Sequence, residues 1–193
     1  MKEKFKKFFY SFYWLIFVLV LLDQVLKILA MTYKWDVVVI PGVLEFKYIR
    51  NTGGAFSMMD GNIVSLMLVS LFATIAMLFY RIYNRNKLNT AHKVVWAVVI
   101  GGTIGNLIDR AFYRLITGTA GVVDFIYVPF FANFNFADMC LTLGLIALIV
   151  LVFVDDNKSK KPKVIEAEYT ETVISKNGEK VDGNSDNQSV NEK

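Results

Sequence analysis

The stretch FNFADMCLTLGLIALIVLVFV, residues 134–154, joins a short polar segment to a long apolar run. After Asp138 no charged residue follows until Asp155. At a helical rise of about 1.5 Å per residue, Ala137 to Val154 covers about 27 Å, close to the roughly 30 Å of a hydrocarbon core. An ionisable side chain at the edge of such a run is energetically costly and usually functional. The stretch therefore predicts a membrane-spanning helix that begins beside a candidate functional carboxylate.

Three further apolar runs precede this one, and the chain as a whole is 55% hydrophobic. They are Phe8 to Met31, Ile63 to Tyr80 and, roughly, Val94 to Ile116. The first run follows several lysines, as a signal peptide does, but it is too long and lacks a small-x-small cleavage site, so we expect it to be retained. The pattern predicts an all-α membrane protein with four transmembrane helices.

The lysines and arginines of the loops and flanks predict the orientation of these helices. One side has twelve cations: Lys2, Lys4, Lys6, Lys7, Arg81, Arg85, Lys87, Lys93, Lys158, Lys160, Lys161 and Lys163. The other side has five: Lys34, Lys47, Arg50, Arg110 and Arg114. Because cytoplasmic loops carry the excess of Lys and Arg, both termini are predicted to be cytoplasmic. The net charge of +4 then reflects topology, and it gives no reason to expect a nucleic-acid partner.

Two segments outside the helices have a distinct character. Leu44, Phe46 and Tyr48 alternate at strand spacing and lead into Asn51 and a glycine turn, which predicts a small extracellular β element between helices 1 and 2. Residues 155–193 are polar and highly charged, so they cannot bury enough apolar surface to fold alone. We therefore expect a four-helix membrane domain, residues 1–154, and a disordered polar cytoplasmic tail, residues 155–193.

The residue inventory excludes several kinds of active site. The only histidine, His92, falls in the loop between helices 2 and 3, so no Ser-His or Cys-His pair can form in the membrane. The only cysteine, Cys140, lies about 200° around the helix from Asp138 and is expected to serve in packing. A metal site built on thiolate or imidazole is likewise excluded, and no metal or cofactor is expected. Carboxylates, amides, hydroxyls and a few cations remain.

Asp124 and Asp138 are the strongest candidates for catalysis. They are fourteen residues apart, joined by an aromatic stretch containing Pro129, so the chain can return and place them side by side. Two adjacent carboxylates do not both ionise easily, and the ionised one can activate water while the protonated one polarises a carbonyl. The alternative interpretation is that each aspartate only caps a helix or faces water.

Other polar residues fall into pairs with a structural or a supporting interpretation. Asn106 and Arg110 share one helix face near the outer interface, although Arg110 could simply be a polar helix end. Asp23 and Lys27 are spaced i, i+4 and are predicted to form a mainly structural ion pair. Asn51 has an amide suited to orienting a peptide, but before glycine it could be only a turn residue.

Two other functional classes stay open on the residues alone. An ion or proton carrier would also use intramembrane Asp and Lys, although its acids would be spread over several depths. A serine peptidase could use Ser57 and Lys27, although Lys27 already has Asp23 as a partner. Cleavage that resists serine reagents but is lost on aspartate substitution distinguishes these classes.

Five short motifs, in order along the four helices, resemble the lipoprotein signal peptidase family, the type II signal peptidases. The motifs are Asp23-Gln24-Val25-Leu26-Lys27, Asn51-Thr52-Gly53-Gly54-Ala55-Phe56, Gly105-Asn106-Leu107-Ile108-Asp109-Arg110, Val122-Val123-Asp124-Phe125 and Phe134-Asn135-Phe136-Ala137-Asp138. The resemblance covers residues from about 8 to 154. It departs from the family at Gly54, where alanine is more usual, and in the length of the polar tail.

The resemblance implies a bacterial aspartic endopeptidase of the cytoplasmic membrane, with its site near the outer leaflet. Such an enzyme cuts signal peptides before a diacylglyceryl-modified cysteine, so lipid-modified prolipoproteins and membrane lipids are the implied partners. By matching motifs, Asp124 and Asp138 are the implied catalytic pair. The residues implied to orient substrate or support the pair are Asn51, Asn106, Asp109, Arg110 and Asn135. The oligomeric state is left open, with a monomer favoured.

Overall fold

The computed structural model describes residues 10–52, 63–117 and 121–178, without the side chains of residues 63, 113–117 and 158–178. Its four long helices are α1 (Tyr13–Tyr33), α2 (Ile63–Tyr83), α3 (Thr90–Thr117) and α4 (Phe136–Gly178). Each contains a stretch of at least 20 residues apolar enough to cross a membrane, which confirms the four predicted helices. Several residues considered above lie outside the described residues, namely Lys2, Lys4, Lys6, Lys7 and residues 53–57, which include Gly54 and Ser57.

Helix α3 is the central helix of the described bundle. In its membrane-spanning part 44% of the residues are buried, against 17–22% in the other three spans. One core cluster, around Ile16, Ala97 and Ile100, joins α3 to α1 and α2. The outward faces of the other helices remain apolar and exposed, as a lipid environment requires. Helix α3 is therefore the helix against which α1 and α2 pack.

A four-stranded antiparallel sheet is built from two separate segments of the chain. Strands β1 (Asp36–Ile40) and β2 (Leu44–Asn51) follow α1, whereas β3 (Val122–Val128) and β4 (Ala132–Phe134) follow α3. The strand order is β1-β2-β3-β4. The predicted β element between the first two helices is thus present, but it is only half of the sheet. The aromatic stretch after Asp124 was predicted as a returning connection, and its extended backbone was not anticipated.

The sheet packs on the ends of α1 and α4 through a second core cluster. Its buried members are Ala30, Val123 and Phe125. The Trp35 ring meets the Phe125 ring edge-on at a centroid distance of 5.6 Å. Strand β1, by contrast, is exposed along its whole length. The inner strands β2 and β3 therefore hold the sheet against the helices, and β1 forms an apolar outer edge.

Glycines on α3 let two helices approach it closely. A Cβ built on Gly101 would lie 3.1 Å from Leu19 Cβ on α1. A Cβ on Gly102 would lie 2.5 Å from the carbonyl oxygen of Ala137 on α4, and Cys140 packs at the same place. The close contact between α3 and α4 brings the polar first turn of α4 against the polar end of α3.

The chain divides into two compact units, the first ending at Ile149 and the second beginning at Val150. The first unit contains the sheet and every predicted site residue. In the second unit the backbone of α4 continues to Gly178. The disorder and the cytoplasmic location of the tail stay predictions.

We predict that Gly102→Ala destabilises the protein by about 1–3 kcal/mol, the usual cost of overpacking, because the added methyl meets backbone that cannot rotate away. Gly101→Ala is the matched control, since its methyl meets a side chain at 3.1 Å. Thermal unfolding in detergent should give a clearly lower midpoint for Gly102→Ala than for Gly101→Ala. Equal midpoints would contradict the close α3–α4 contact.

Candidate active site

A buried ion cluster joins α1 to α3 beneath the sheet. The ammonium of Lys27 lies 2.8 Å from Asp23 Oδ2 and 2.9 Å from Asp109 Oδ2. All three side chains are at most 5% exposed. The predicted Asp23–Lys27 pair is therefore present, and it has a second carboxylate that i, i+4 spacing could not reveal. Because charges removed from water must be paired, the cluster fixes the relative positions of the two helices.

Each oxygen of these two carboxylates also accepts a further hydrogen bond. Gln24 Nε2 donates to Asp109 Oδ1 at 3.0 Å and to Asp23 Oδ2 at 3.1 Å. The backbone N–H of Ala137, in the first turn of α4, donates to Asp23 Oδ1 at 2.9 Å. The backbone N–H of Val123 on β3 donates to Asp109 Oδ2 at 3.2 Å. The cluster therefore holds the sheet and α4 as well as α1 and α3.

Asn106 forms hydrogen bonds with both Lys27 and Asp138 and so links their positions. Lys27 Nζ donates to Asn106 Oδ1 at 3.0 Å, and Asn106 Nδ2 donates to Asp138 Oδ1 at 2.7 Å. An ammonium has only donors, so it fixes which end of the amide is the oxygen. The amide N–H₂ must then face Asp138. One buried cation thus orients the hydrogen-bond donor that holds a candidate catalytic carboxylate.

Asn135 and Asp138 form a reciprocal cap at the start of α4. The N–H of Asp138 donates to Asn135 Oδ1 at 3.0 Å, and the N–H of Asn135 donates to Asp138 Oδ2 at 3.1 Å. This is the capping-box arrangement, with an aspartate at the third helical position. Asp138 therefore does cap a helix, as the alternative interpretation expected. Its side chain is also partly exposed, so it remains accessible to water.

Asp124 projects from β3 and is held by two amides. Its Oδ2 accepts from Asn51 Nδ2 at 2.9 Å, and its Oδ1 accepts from Asn135 Nδ2 at 2.8 Å. Pairing of β2 with β3 places Asn51 opposite Val122, which brings residues 73 positions apart into contact. Asp124 is only 1% exposed, so it does not face water freely.

Burial, and after it the nearby negative charge of Asp138, raise the pKa of Asp124 to about 6. The two amide donors act in the opposite direction, because a hydrogen bond to the carboxylate stabilises its charge. A carboxyl with a pKa near 6 can hold or release a proton close to neutral pH. This is the property expected of an acid in acid/base catalysis.

Both aspartates line one cavity of about 430 Å³. Asn51 and Arg110 lie on its polar wall, and an apolar wall is formed by Phe131, Met139, Leu141 and Leu143. The guanidinium of Arg110 donates to the hydroxyl of Ser70 on α2 at 2.6 Å. The cavity therefore offers two carboxylates and a cation beside a surface that suits an apolar ligand.

The structure brings all nine predicted site residues into this region, either on the cavity or in the hydrogen-bond network behind it. Gln24 and Ser70 belong to the same arrangement and were missed by the sequence reasoning. Gln24 stands beside Asp23 in an apolar run, which was a usable signal, whereas nothing in the spacing of Ser70 distinguishes it. Among the described residues, no group of three or more carboxylate, imidazole or thiol side chains is arranged to hold a metal ion.

Comparisons with known proteins agree with the motifs. A family model for signal peptidase II matches residues 15–154. The lipoprotein signal peptidase of Clostridium tetani is 34% identical over 145 residues, which is 71% of this chain and 88% of that protein. A lipoprotein signal peptidase of Listeria monocytogenes serotype 4b is 33% identical over 157 residues, 77% of this chain and 97% of that protein.

Solved structures agree with the fold. One structure of a bacterial membrane enzyme is similar with a TM-score of 0.63 and 29% identity, covering 76% of this chain and 89% of that one. A second structure, also of a bacterial membrane enzyme, gives a TM-score of 0.57 and 30% identity. The likeness extends over most of each chain.

We predict that Lys27→Met destabilises the protein by about 3–5 kcal/mol, because it leaves Asp23 and Asp109 buried without a counter-charge. Lys47→Met is the matched control, since Lys47 is exposed on β2. Thermal unfolding in detergent should show a large loss for the first variant and little change for the second. A wild-type midpoint for Lys27→Met would mean that the ion cluster does not hold the fold together.

Proposed function

The chain belongs to the signal peptidase II family, and we propose that it removes signal peptides from prolipoproteins as an aspartic endopeptidase with Asp124 and Asp138 as its catalytic pair. The observation that carries this proposal is the way the two carboxylates are linked. Asn135 donates to Asp124 and caps the helix of Asp138, while Asn106 donates to Asp138. Both aspartates face one cavity.

The two aspartates have different environments, which suggests a division of labour. Asp124 is buried and has a raised pKa, so we assign it the protonated role. Asp138 accepts N–H bonds on both oxygens and is reached by water, so we assign it the ionised role. A substrate that fills the cavity makes the surroundings of Asp124 less polar and so favours its protonated form further.

These assignments lead to a balanced hydrolysis. Asp138 takes a proton from a water molecule, the water oxygen bonds to the scissile carbonyl carbon, and Asp124 gives its proton to the carbonyl oxygen. The resulting diol collapses when Asp138 gives its proton to the amide nitrogen and the C–N bond breaks. Asp124 recovers a proton from the diol hydroxyl. Both carboxyls return to their starting states.

Supporting roles follow from the contacts. Asn51 and Asn135 hold Asp124 in place, and Asn106 and Asp109 connect the pair to the buried Lys27. Arg110 lines the cavity with both aspartates and is assigned to orienting the peptide. None of these five residues is assigned a proton transfer.

The shape of the cavity fits a lipid-modified peptide. Its polar wall is suited to the scissile peptide, and its apolar wall is suited to the acyl chains of a diacylglyceryl cysteine or to the signal-peptide helix. We place the sheet and the dyad at the outer leaflet of a bacterial cytoplasmic membrane, with both termini cytoplasmic. The twelve-to-five asymmetry of cations supports this orientation. No cofactor is needed for the chemistry, and a monomer holds all the named groups.

The two competing functional classes, an ion or proton carrier and a serine peptidase, are less well supported. Asp23, Asp109, Asp124 and Asp138, the four carboxylates of the network described above, are gathered at one end of the bundle, beside the sheet, instead of forming a path through the helices. Lys27 uses its ammonium on three acceptors, Asp23, Asp109 and Asn106, which leaves it a poor base for a serine nucleophile.

We predict that Asp124→Asn and Asp138→Asn each abolish cleavage, because asparagine keeps the shape of aspartate but cannot transfer a proton. The double variant should be scarcely slower than either single variant, since the residues act as a unit. Asp36→Asn, on exposed β1, is the matched control and should keep full activity. The assay compares a lipidated with an unlipidated prolipoprotein peptide, and we expect cleavage of the lipidated peptide only. Turnover by either folded single variant would refute the dyad.

We further predict a change in the pH profile of Asn51→Leu. Asn51 donates to the Asp124 carboxylate and so lowers the pKa of Asp124, which lies at about 6. Loss of this donor should therefore raise the pKa of Asp124. If the protonated form of Asp124 is the active one, activity is lost as pH rises through this pKa. The alkaline limb of kcat/KM should therefore move to higher pH, while the rate at the optimum falls. Phe131→Leu, on the apolar wall, is the control whose limb should not move.

A further inference from the structure

A second cavity, of about 760 Å³, lies at the opposite end of the bundle from the dyad. It is formed by the start of α1, the end of α2 and the start of α3. Lys93 on its wall and Arg110 at the dyad are seventeen residues apart on α3, about 25 Å along the helix. The two cavities are therefore separate sites.

The lining of this cavity is strongly positive. Arg81, Arg85 and Lys93 contribute to it, and no carboxylate is among its described lining residues. A concave site lined by charges of one sign concentrates ions of the opposite sign. The ligand that this cavity suits is an anion.

Arg81 gives the cavity a rigid centre. Its guanidinium is 2% exposed and donates to the backbone carbonyls of Ser11 and Lys93, while its Cζ lies 4.8 Å from the centre of the Tyr13 ring. Its Nε is buried with no hydrogen-bond partner among the described residues. A buried guanidinium whose partners are neutral carbonyls and a ring keeps its charge uncompensated, and it is stabilised by a nearby anion.

The surroundings indicate which source of anion fits. Tyr10, Tyr13, Ile82 and Leu88 line the cavity beside the cations, so it has an apolar side as well as a charged one. It also opens at the ends of three helices that are long and apolar enough to span a membrane. Tyrosines and cations at this level are typical of contact with lipid headgroups. A soluble anion would use only the charged half of this surface.

We propose that this cavity binds the phosphate group of an anionic membrane lipid. Arg85 and Lys93 pair with the phosphate over the fixed charge of Arg81, and the tyrosines contact the glycerol and the upper acyl chain. The proposal does not depend on the peptidase activity, because none of these residues touches the dyad.

The test measures binding of short-chain phosphatidylglycerol to the purified full-length protein in detergent by native mass spectrometry. Binding should be tighter than that of phosphatidylcholine with the same acyl chains. Arg85→Gln should weaken phosphatidylglycerol binding about 5-fold, and Arg85→Gln with Lys93→Gln about 30-fold. The two factors multiply because each of the two cations is expected to contribute a similar amount to the binding free energy. Lys87→Gln is the matched control, because Lys87 is exposed in the same loop but does not line the cavity.

Inorganic phosphate distinguishes a lipid from a soluble anion. At millimolar concentration, inorganic phosphate should neither displace the lipid nor raise the unfolding temperature of the protein. Displacement of the lipid by phosphate would assign the cavity to a soluble anion and overturn the lipid proposal. Equal binding of the two lipids, or a double variant that behaves like Lys87→Gln, would also overturn it. Cleavage is assayed on the same samples and should be equal in wild type and double variant, so failure of the lipid site is distinguishable from failure of the peptidase proposal.

Discussion

The ammonium of Lys27 makes the contacts on which the sheet end of the described structure depends. Its three acceptors, on Asp23, Asp109 and Asn106, come from two helices. The two carboxylates then accept backbone N–H groups from α4 and from β3. One buried cation therefore positions two helices, a third helix terminus and the inner strand β3 of the sheet. Its removal leaves several desolvated groups unpaired at once, which is why such clusters are costly to alter.

The catalytic candidates are separated from this ion cluster by amides and not by apolar side chains. Asn106 and Asn135 each present an oxygen to a donor-only group and an N–H₂ to a carboxylate. The amides therefore fix the geometry of Asp124 and Asp138 without adding formal charge beside them. Burial can then raise the pKa of Asp124 without a cation in direct contact opposing it.

The sequence predicts the helices well because their signal is local, and the candidate residues can be picked out from an equally local signal. Long apolar runs reveal the spans, and a carboxylate inside such a run, as at Asp23 or Asp138, is conspicuous. The second hairpin was missed because its aromatic residues and Pro129 are compatible with several backbone conformations. The Lys27–Asp109 contact was also out of reach, since it links residues 82 positions apart and no periodicity within one helix encodes it.

The reciprocal cap between Asn135 and Asp138 has a consequence for engineering. The group assigned to activate water is also the group that closes the first turn of α4, so catalysis and folding constrain the same side chain. Optimising a helix cap is a common route to thermostability, yet here the cap is not free to vary. A more heat-resistant version of this protein would have to be sought in the lipid-facing surfaces and loops. The first turn of α4 should tolerate substitution least, in laboratory evolution as in design.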